Sequence, residues 1–343
     1  MTKEEKIQQF DPNQPGLAGA GIFGLPFSPE ESKVVIIPVP WEVTVSYGAG
    51  TAAGPEAILE ASLQVDLYDA RSPDAWKEGF SMPGIPEDLR SKSENLRELA
   101  VAIIEGISEG KPSSAYQKNL DRVNAACGEM VGQVRQEAAK LLVNGQIPVL
   151  LGGDHSSPLG LIQALADTYP DFGILQIDAH CDLRQAYEGF TYSHASIMYN
   201  ALKLPAVTKL VQVGIRDYCQ EEVDYARASN GRVKMFTDRE LSQKRFEGES
   251  WKQTVDRIVD MLPQHVYISF DIDGLDPALC QHTGTPVPGG LSFGEALYLI
   301  EAVKDSGRQL ISFDLCEVAP GADEWDANVG ARLLYRLCNL IAE

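Results

Sequence analysis

The sequence predicts an α/β fold built on a parallel sheet covered by helices on both faces. Three observations carry that reading. From residue 147 onward, short apolar runs alternate with segments of helical period, the rhythm of strands joined by crossover helices. Runs such as Ile147–Leu151 and Phe172–Ile177 read as buried strands. The chain has 343 residues, 44% of them hydrophobic and 23% charged, which is ample for a large core.

Residues 1–32 are rich in Gly and Pro and are predicted to form an irregular arm, lying on the body or on a neighbouring subunit. Lys33–Pro40 is a β-branched run and a first strand. Ser46–Pro55 is a Gly-rich loop. Gly54-Pro55 then opens a helix through about Ser62, with Pro where a first-turn N–H is not needed. Residues 33–343 read as one domain, with an insertion at about 72–114 that holds a short helical patch near Leu96–Gly106. Tyr116–Val143 is the longest helical pattern, with Val123, Cys127, Met130, Val134, Ala138, Leu141 and Leu142 as its apolar stripe. Asn144-Gly145 stops it. Strand–helix pairs follow: Ile147–Leu151 with Leu159–Thr168, Phe172–Ile177 with His194–Lys203, and Lys209–Ile215 with Glu221–Ala228. Val233–Phe236 pairs with Trp251–Leu262, Val266–Asp273 with Phe293–Asp305, and Gln309–Val318 with Asp326–Ile341.

The net charge of −20, from 29 basic and 49 acidic residues, argues against nucleic acid or an anionic membrane as a partner. Met1–Asp11 is polar and has no signal core, and no run approaches the roughly 18 apolar residues that cross a bilayer. The six cysteines form no CxxC pair, which predicts a cytoplasmic setting and no thiolate metal site.

Four strand ends carry chemically loaded residues: Gly152-Gly153-Asp154-His155-Ser156, Asp178-Ala-His180-Cys-Asp182, Ser269-Phe-Asp271-Ile-Asp273, and Asp314-Leu-Cys-Glu317. Parallel strands deliver such ends to one rim, where ligands bind in open α/β sheets. Read as strand extensions, Asp178, His180 and Asp182 share one face, as do Asp271 and Asp273. Buried aspartates without partners are costly, so structural roles alone explain the set poorly. With His155 they make an oxygen-rich N/O ligand set suited to Mn²⁺, with Ni²⁺, Co²⁺, Fe²⁺ or Zn²⁺ as alternatives. Six ligands exceed what one open-sided ion takes from protein, and two ions about 3.5–4 Å apart fit better. Asp154 reads as orienting that shell, His265 as structural, and His282 as either a substrate contact or a surface residue.

These residues resemble the ureohydrolase family of arginases and agmatinases, whose metal motifs match GGDHS (152–156), DAHCD (178–182) and SFDIDGLDP (269–277). The likeness runs from about Val34 to Leu340. It implies a three-layer α/β/α fold around a mostly parallel eight-stranded sheet, two Mn²⁺ ions per chain, and a homotrimer or homohexamer. Carried over position by position, the ligands are His155, Asp178, His180, Asp182, Asp271 and Asp273, with Asp178, Asp182 and Asp271 spanning both ions. Asp182 thereby counts with His194 and Glu317 as catalytic: His194 resembles the mobile acid/base histidine, and Glu317 the carboxylate that grips the guanidinium. Thr283-Gly-Thr285-Pro286 matches the TGTP loop at the mouth, which places Thr283 at the substrate.

The implied reaction splits a guanidino group into urea and an amine. Leu183-Arg184 and Cys219 depart from the arginase pattern, where polar and acidic residues hold an amino-acid head group. The DLR, YEG and YSHASIM stretches of Asp178–Met198 look like agmatinases, so conversion of agmatine to putrescine is the first expectation. Arg184 leaves two options open, a carboxylate partner such as 4-guanidinobutyrate or a surface pair with Glu188. Free guanidine would require the arm or the insertion to fill the tail pocket, and arginine is a further alternative. Readings of another class are a non-catalytic regulator, although no ligand is missing, and a mononuclear deacetylase-like hydrolase.

Overall fold

The computed structural model describes residues 1–17 and 19–343. Eight strands form one sheet: β1 (Val34–Val39), β2 (Phe80–Ser81), β3 (Ile147–Gly152), β4 (Phe172–Ile177), β5 (Val207–Ile215), β6 (Val233–Thr237), β7 (His265–Asp271) and β8 (Gln309–Cys316). Their order is β2-β1-β3-β8-β7-β4-β5-β6, and every neighbouring pair is parallel. The helices are α1 (Lys3–Gln9), α2 (Gly54–Ser62), α3 (Glu87–Ser108), α4 (Gln117–Val143), α5 (Leu159–Thr168), α6 (Ile197–Ala201), α7 (Gln220–Ala228), α8 (Asp238–Phe246), α9 (Trp251–Asp260), α10 (Phe293–Asp305) and α11 (Trp325–Ala342).

Alternation along β1 sends Val34 and Ile36 to one face and Val35, Ile37 and Val39 to the other. The first face packs against α2, α8, α9, α10 and α11, the second against α3, α4, α5 and α6. The molecule is therefore the expected three-layer α/β/α fold, with a sheet parallel throughout. The four chemically loaded strands, β3, β8, β7 and β4, are adjacent at its centre. No helix among the described residues is long and apolar enough to cross a membrane.

The structure departs from the sequence reading in several places. The 72–114 segment supplies an edge strand, with Phe80 and Ser81 paired to Val34 and Val35. Its helix α3 runs 22 residues, far beyond Leu96–Gly106, and buries Leu89, Leu96, Ala100 and Ile103. A two-residue strand has no period to read, and the first half of α3 is mostly polar. The arm is not wholly irregular. Thr2 and Glu5 form a capping box on α1, Ile22, Phe23 and Leu25 are buried in the core, and Lys6 Nζ lies 2.6 Å from Glu31. Helix α8, absent from the sequence reading, buries only Leu241. The helix expected over His194–Lys203 is a 3₁₀ turn, His194–Ser196, followed by the short α6.

Phe80 is 1% exposed and packs edge-on to Phe23 and Tyr335. Phe80→Ala is expected to cost about 3–5 kcal/mol in urea or guanidinium unfolding. A loss below about 1 kcal/mol would show that the 72–114 segment is a dispensable appendage.

Candidate metal centre

Apart from Asp271, the last residue of β7, the candidate ligands lie beyond the strands, not along them. β4 ends at Ile177 and β7 at Asp271, so Asp178, His180 and Asp182 sit in a loop and Asp273 in a 3₁₀ turn. What aligns them is a repeated local device. Asp178 Oδ1 accepts the His180 N–H at 2.6 Å, and Asp271 Oδ1 accepts the Asp273 N–H at 2.8 Å. Asp154 Oδ1 accepts the Ser156 N–H at 2.9 Å in the same way. Each aspartate ties one oxygen to the backbone two residues on. The second oxygens of Asp178 and Asp271 both lie near His155.

His155 Nδ1 is buried, with no hydrogen-bond partner. Asp182 Oδ2 lies 3.0 Å from it, Asp178 Oδ2 3.1 Å and Asp271 Oδ2 3.4 Å. One imidazole proton cannot serve three carboxylates. The other face of the ring is fixed, with Nε2 2.9 Å from Ser269 Oγ and 3.7 Å from Asp314 Oδ1. Asp314 in turn accepts the Tyr267 hydroxyl. On the opposite side, His180 Nδ1 lies 3.0 Å from Asp273 Oδ2 and 3.6 Å from Asp178 Oδ1. The ligand atoms of His155, Asp178 and Asp271 lie within 4.8 Å of one another, as do those of Asp178, His180 and Asp273. Asp178 belongs to both groups; Asp182 joins the first through Oδ2 and Asp271 lies in the first alone, so of the three carboxylates expected to span both ions only Asp178 is shared by these groups.

The same crowding perturbs the titration of the cluster. Burial, then the Asp178 charge, pushes the Asp182 carboxyl up to about 7. Burial, then Asp273, pushes Asp271 well above the usual carboxylate range. Burial opposes a charged His180, but Asp273 and Asp178 outweigh it and carry the imidazole up to about 12. Repelling carboxylates and an orphaned imidazole nitrogen, all with hard or borderline donors, fit divalent first-row metal ions.

Glu317 borders this centre. It is 4% exposed, its Oε1 accepts the His155 N–H at 2.8 Å, and its Oε2 has no partner. A Cβ on Gly284 would lie 2.6 Å from that free oxygen, so the TGTP loop passes over it only because residue 284 has no side chain. Thr283 Oγ1 is likewise buried and unpartnered. Asp182 and Glu317 adopt φ of 53° and 68°, a left-handed conformation that costs a non-glycine residue about 1–2 kcal/mol.

A cleft of about 130 Å³ opens outward from His180 and Asp182, walled by Ser46, Arg184, Tyr187, His194, Asp217 and Tyr218. The structure thus brings His194 and Arg184 to the mouth of the candidate metal centre. The Arg184 guanidinium stacks over the Tyr187 ring at 4.8 Å and, among the described residues, has no ion pair with Glu188. Glu222 also reaches the cleft, but its carboxylate accepts the N–H groups of Leu183 (3.1 Å) and Cys219 (2.9 Å). Asp217, which the motifs do not mark, follows the end of β5 on the same rim. Its carboxylate has no ion pair or hydrogen bond among the described residues. Ser269 was legible too, since it shares the Asp271 face of β7 at a spacing of two. His265 packs on Tyr169 at 5.2 Å, the structural role expected of it.

Stripping the protein with a chelator and restoring Mn²⁺ is expected to raise Tm by about 5 °C or more at saturating metal. Asp271→Asn should abolish most of that shift and lower the metal content. An unchanged shift and full metal content would remove Asp271 from the ligand set.

The Arginase family model matches residues 32–339. An N(1)-aminopropylagmatine ureohydrolase of Thermus thermophilus is 32% identical over 320 residues, covering 93% of this chain and 94% of its own. An agmatinase of Halalkalibacterium halodurans is 31% identical over 294 residues, covering 86% of each chain. Among solved structures, the agmatine ureohydrolase of Thermoplasma volcanium superposes with a TM-score of 0.71 at 23% identity, over 98% of this chain and 97% of its own. The chain belongs to the arginase family.

Proposed function

We propose that this chain hydrolyses the guanidino group of a linear guanidine with a cationic tail, agmatine foremost, releasing urea and an amine. Membership of the arginase family makes it a metal-dependent amidinohydrolase. The observation that carries the substrate reading is Glu317, a buried carboxylate with one unpartnered oxygen beside the two His/Asp groups. A planar, forked cation is the natural partner for it.

Each residue then has a physical task. His155, Asp178 and Asp271, with Asp182, would hold one divalent ion, and Asp178, His180 and Asp273 the other; Mn²⁺ is the first reading. Two ions held there would supply Lewis acidity and lower the pKa of water toward neutral. Glu317 Oε2 and Thr283 Oγ1 orient the guanidinium. His194 Nδ1 lies 3.4 Å from Ser193 Oγ, which leaves Nε2 to pass a proton to the departing amine. Asp217, the cleft carboxylate without a partner, receives the positive end of the tail, while Arg184 stays stacked on Tyr187. Among the described residues, the cleft takes none of its lining from 1–32 or 72–114, which disfavours the free-guanidine reading. We place the enzyme in the cytoplasm, as a homotrimer or homohexamer.

A second reading keeps the chemistry and lengthens the tail. Four of the relatives, from Thermus thermophilus, Synechocystis and Thermococcus kodakarensis, are named N(1)-aminopropylagmatine ureohydrolases, and a longer tail would suit a cleft that opens outward past Asp217.

Urea release from agmatine, N1-aminopropylagmatine, 4-guanidinobutyrate, arginine and guanidine separates these readings. A cationic tail is expected to raise kcat/KM at least about tenfold over 4-guanidinobutyrate and guanidine. Asp217→Asn should lower kcat/KM for agmatine by roughly tenfold, the scale of one charge-assisted contact, and leave guanidine turnover unchanged. A preference for 4-guanidinobutyrate would contradict the proposal and bring Arg184 into tail recognition.

A further inference from the structure

His282 has no role in the metal centre or the tail cleft, yet a buried carboxylate is committed to it. Asp326, in the first turn of α11, is 1% exposed. Its Oδ1 accepts the N–H groups of Gln281 at 2.8 Å and His282 at 3.2 Å, and its Oδ2 lies 2.7 Å from His282 Nδ1. An ionised carboxylate only accepts, so Nδ1 of that imidazole carries a proton. The neighbouring Trp325 donates its indole N–H to the Ala278 carbonyl at 3.1 Å. On its other side the loop is tied again. Ala319 N–H donates to His282 O at 2.9 Å, and Gly48 N–H to Gly284 O at 2.8 Å. Space for the pair is reserved, since a Cβ on Gly321 would lie 2.4 Å from His282 Nδ1.

The loop so held runs directly into Thr283 and Gly284, where two buried polar atoms, Thr283 Oγ1 and Glu317 Oε2, are unpartnered. The clearance above Glu317 is narrow, because a single added carbon at Gly284 would come within 2.6 Å of Oε2. A small shift of this loop would therefore close the space or draw the threonine away. We propose that Asp326 and His282 form a positioning dyad that sets the 281–284 loop so that Thr283 and Glu317 address one guanidinium together. This rests on the reading that Glu317 binds the guanidinium. Neither member of the dyad is assigned contact with substrate. The His282 side chain is 51% exposed, so removing it opens no core cavity.

The test uses the metal-loaded full chain and urea release from agmatine. His282→Ala is expected to raise KM by roughly 5- to 20-fold, the effect of one charge-assisted hydrogen bond felt through loop position. Turnover and metal content should stay within about twofold of wild type. His282→Asn restores an N–H donor where Nδ1 was, and should return KM to within about twofold. A purely structural role would instead lower kcat, metal content and Tm together, and that pattern would overturn the dyad. So would an unchanged KM in His282→Ala, or a His282→Asn protein as impaired as the alanine variant. Wild-type enzyme that releases no urea from any guanidine would overturn the substrate reading itself and the dyad with it. Normal wild-type turnover with an indifferent His282→Ala would overturn the dyad alone.

Discussion

Four aspartates and a glutamate are buried around two imidazoles at the ends of adjacent parallel strands, and no Lys or Arg lies within 4 Å of any of those carboxylates among the described residues. That concentration of like charge is the constraint to which the rest of the structure answers. Carboxylates this close and this dry either keep protons or gather cations. The sheet order makes the concentration unavoidable, because β3, β8, β7 and β4 are neighbours and all point the same way. Two groups of ligands that share Asp178 turn this repulsion into sites for positive charge.

The same crowding explains the local backbone. Aspartates that tie one oxygen to the amide two residues on present the other oxygen inward without spending rotamer freedom at the site. Asp182 and Glu317 hold left-handed conformations that neither would adopt alone. The carbonyl of Asp182 accepts the N–H groups of Met198 and Tyr199, and the N–H of Glu317 donates to Gly153 O at 2.8 Å. The strain is thus held by α6 at Asp182 and by the loop after β3 at Glu317. Outward from this centre the site opens past Thr285 of the TGTP loop to a cleft walled by Tyr187, Tyr218, Arg184 and Asp217.

Much of this was legible in the sequence, and the rest was hidden for identifiable reasons. Seven strands announced themselves as apolar runs. The eighth, Phe80–Ser81, is too short to have a period and is fixed by pairing with β1 alone. Helix α3 was read at half its length because its buried residues are spaced among charges. The motif residues came together as expected on one rim, but for a different reason. Strand alternation stops at Ile177 and Asp271, and side-chain-to-backbone turns take over. Asp326 shows the limit of spacing arguments. It lies 44 residues from His282 in sequence, and only the packing of α11 against the 278–282 segment joins the two.

The centre is organised around the shared position of Asp178, and the metal content of the Asp178→Ala protein tests this most directly. Atomic-emission counting on protein dialysed against Mn²⁺ is expected to find about two ions per wild-type chain and close to none in the variant, because both groups lose the same ligand. A variant that keeps one tightly bound ion would mean that the two groups are independent, and that the centre is not organised around Asp178.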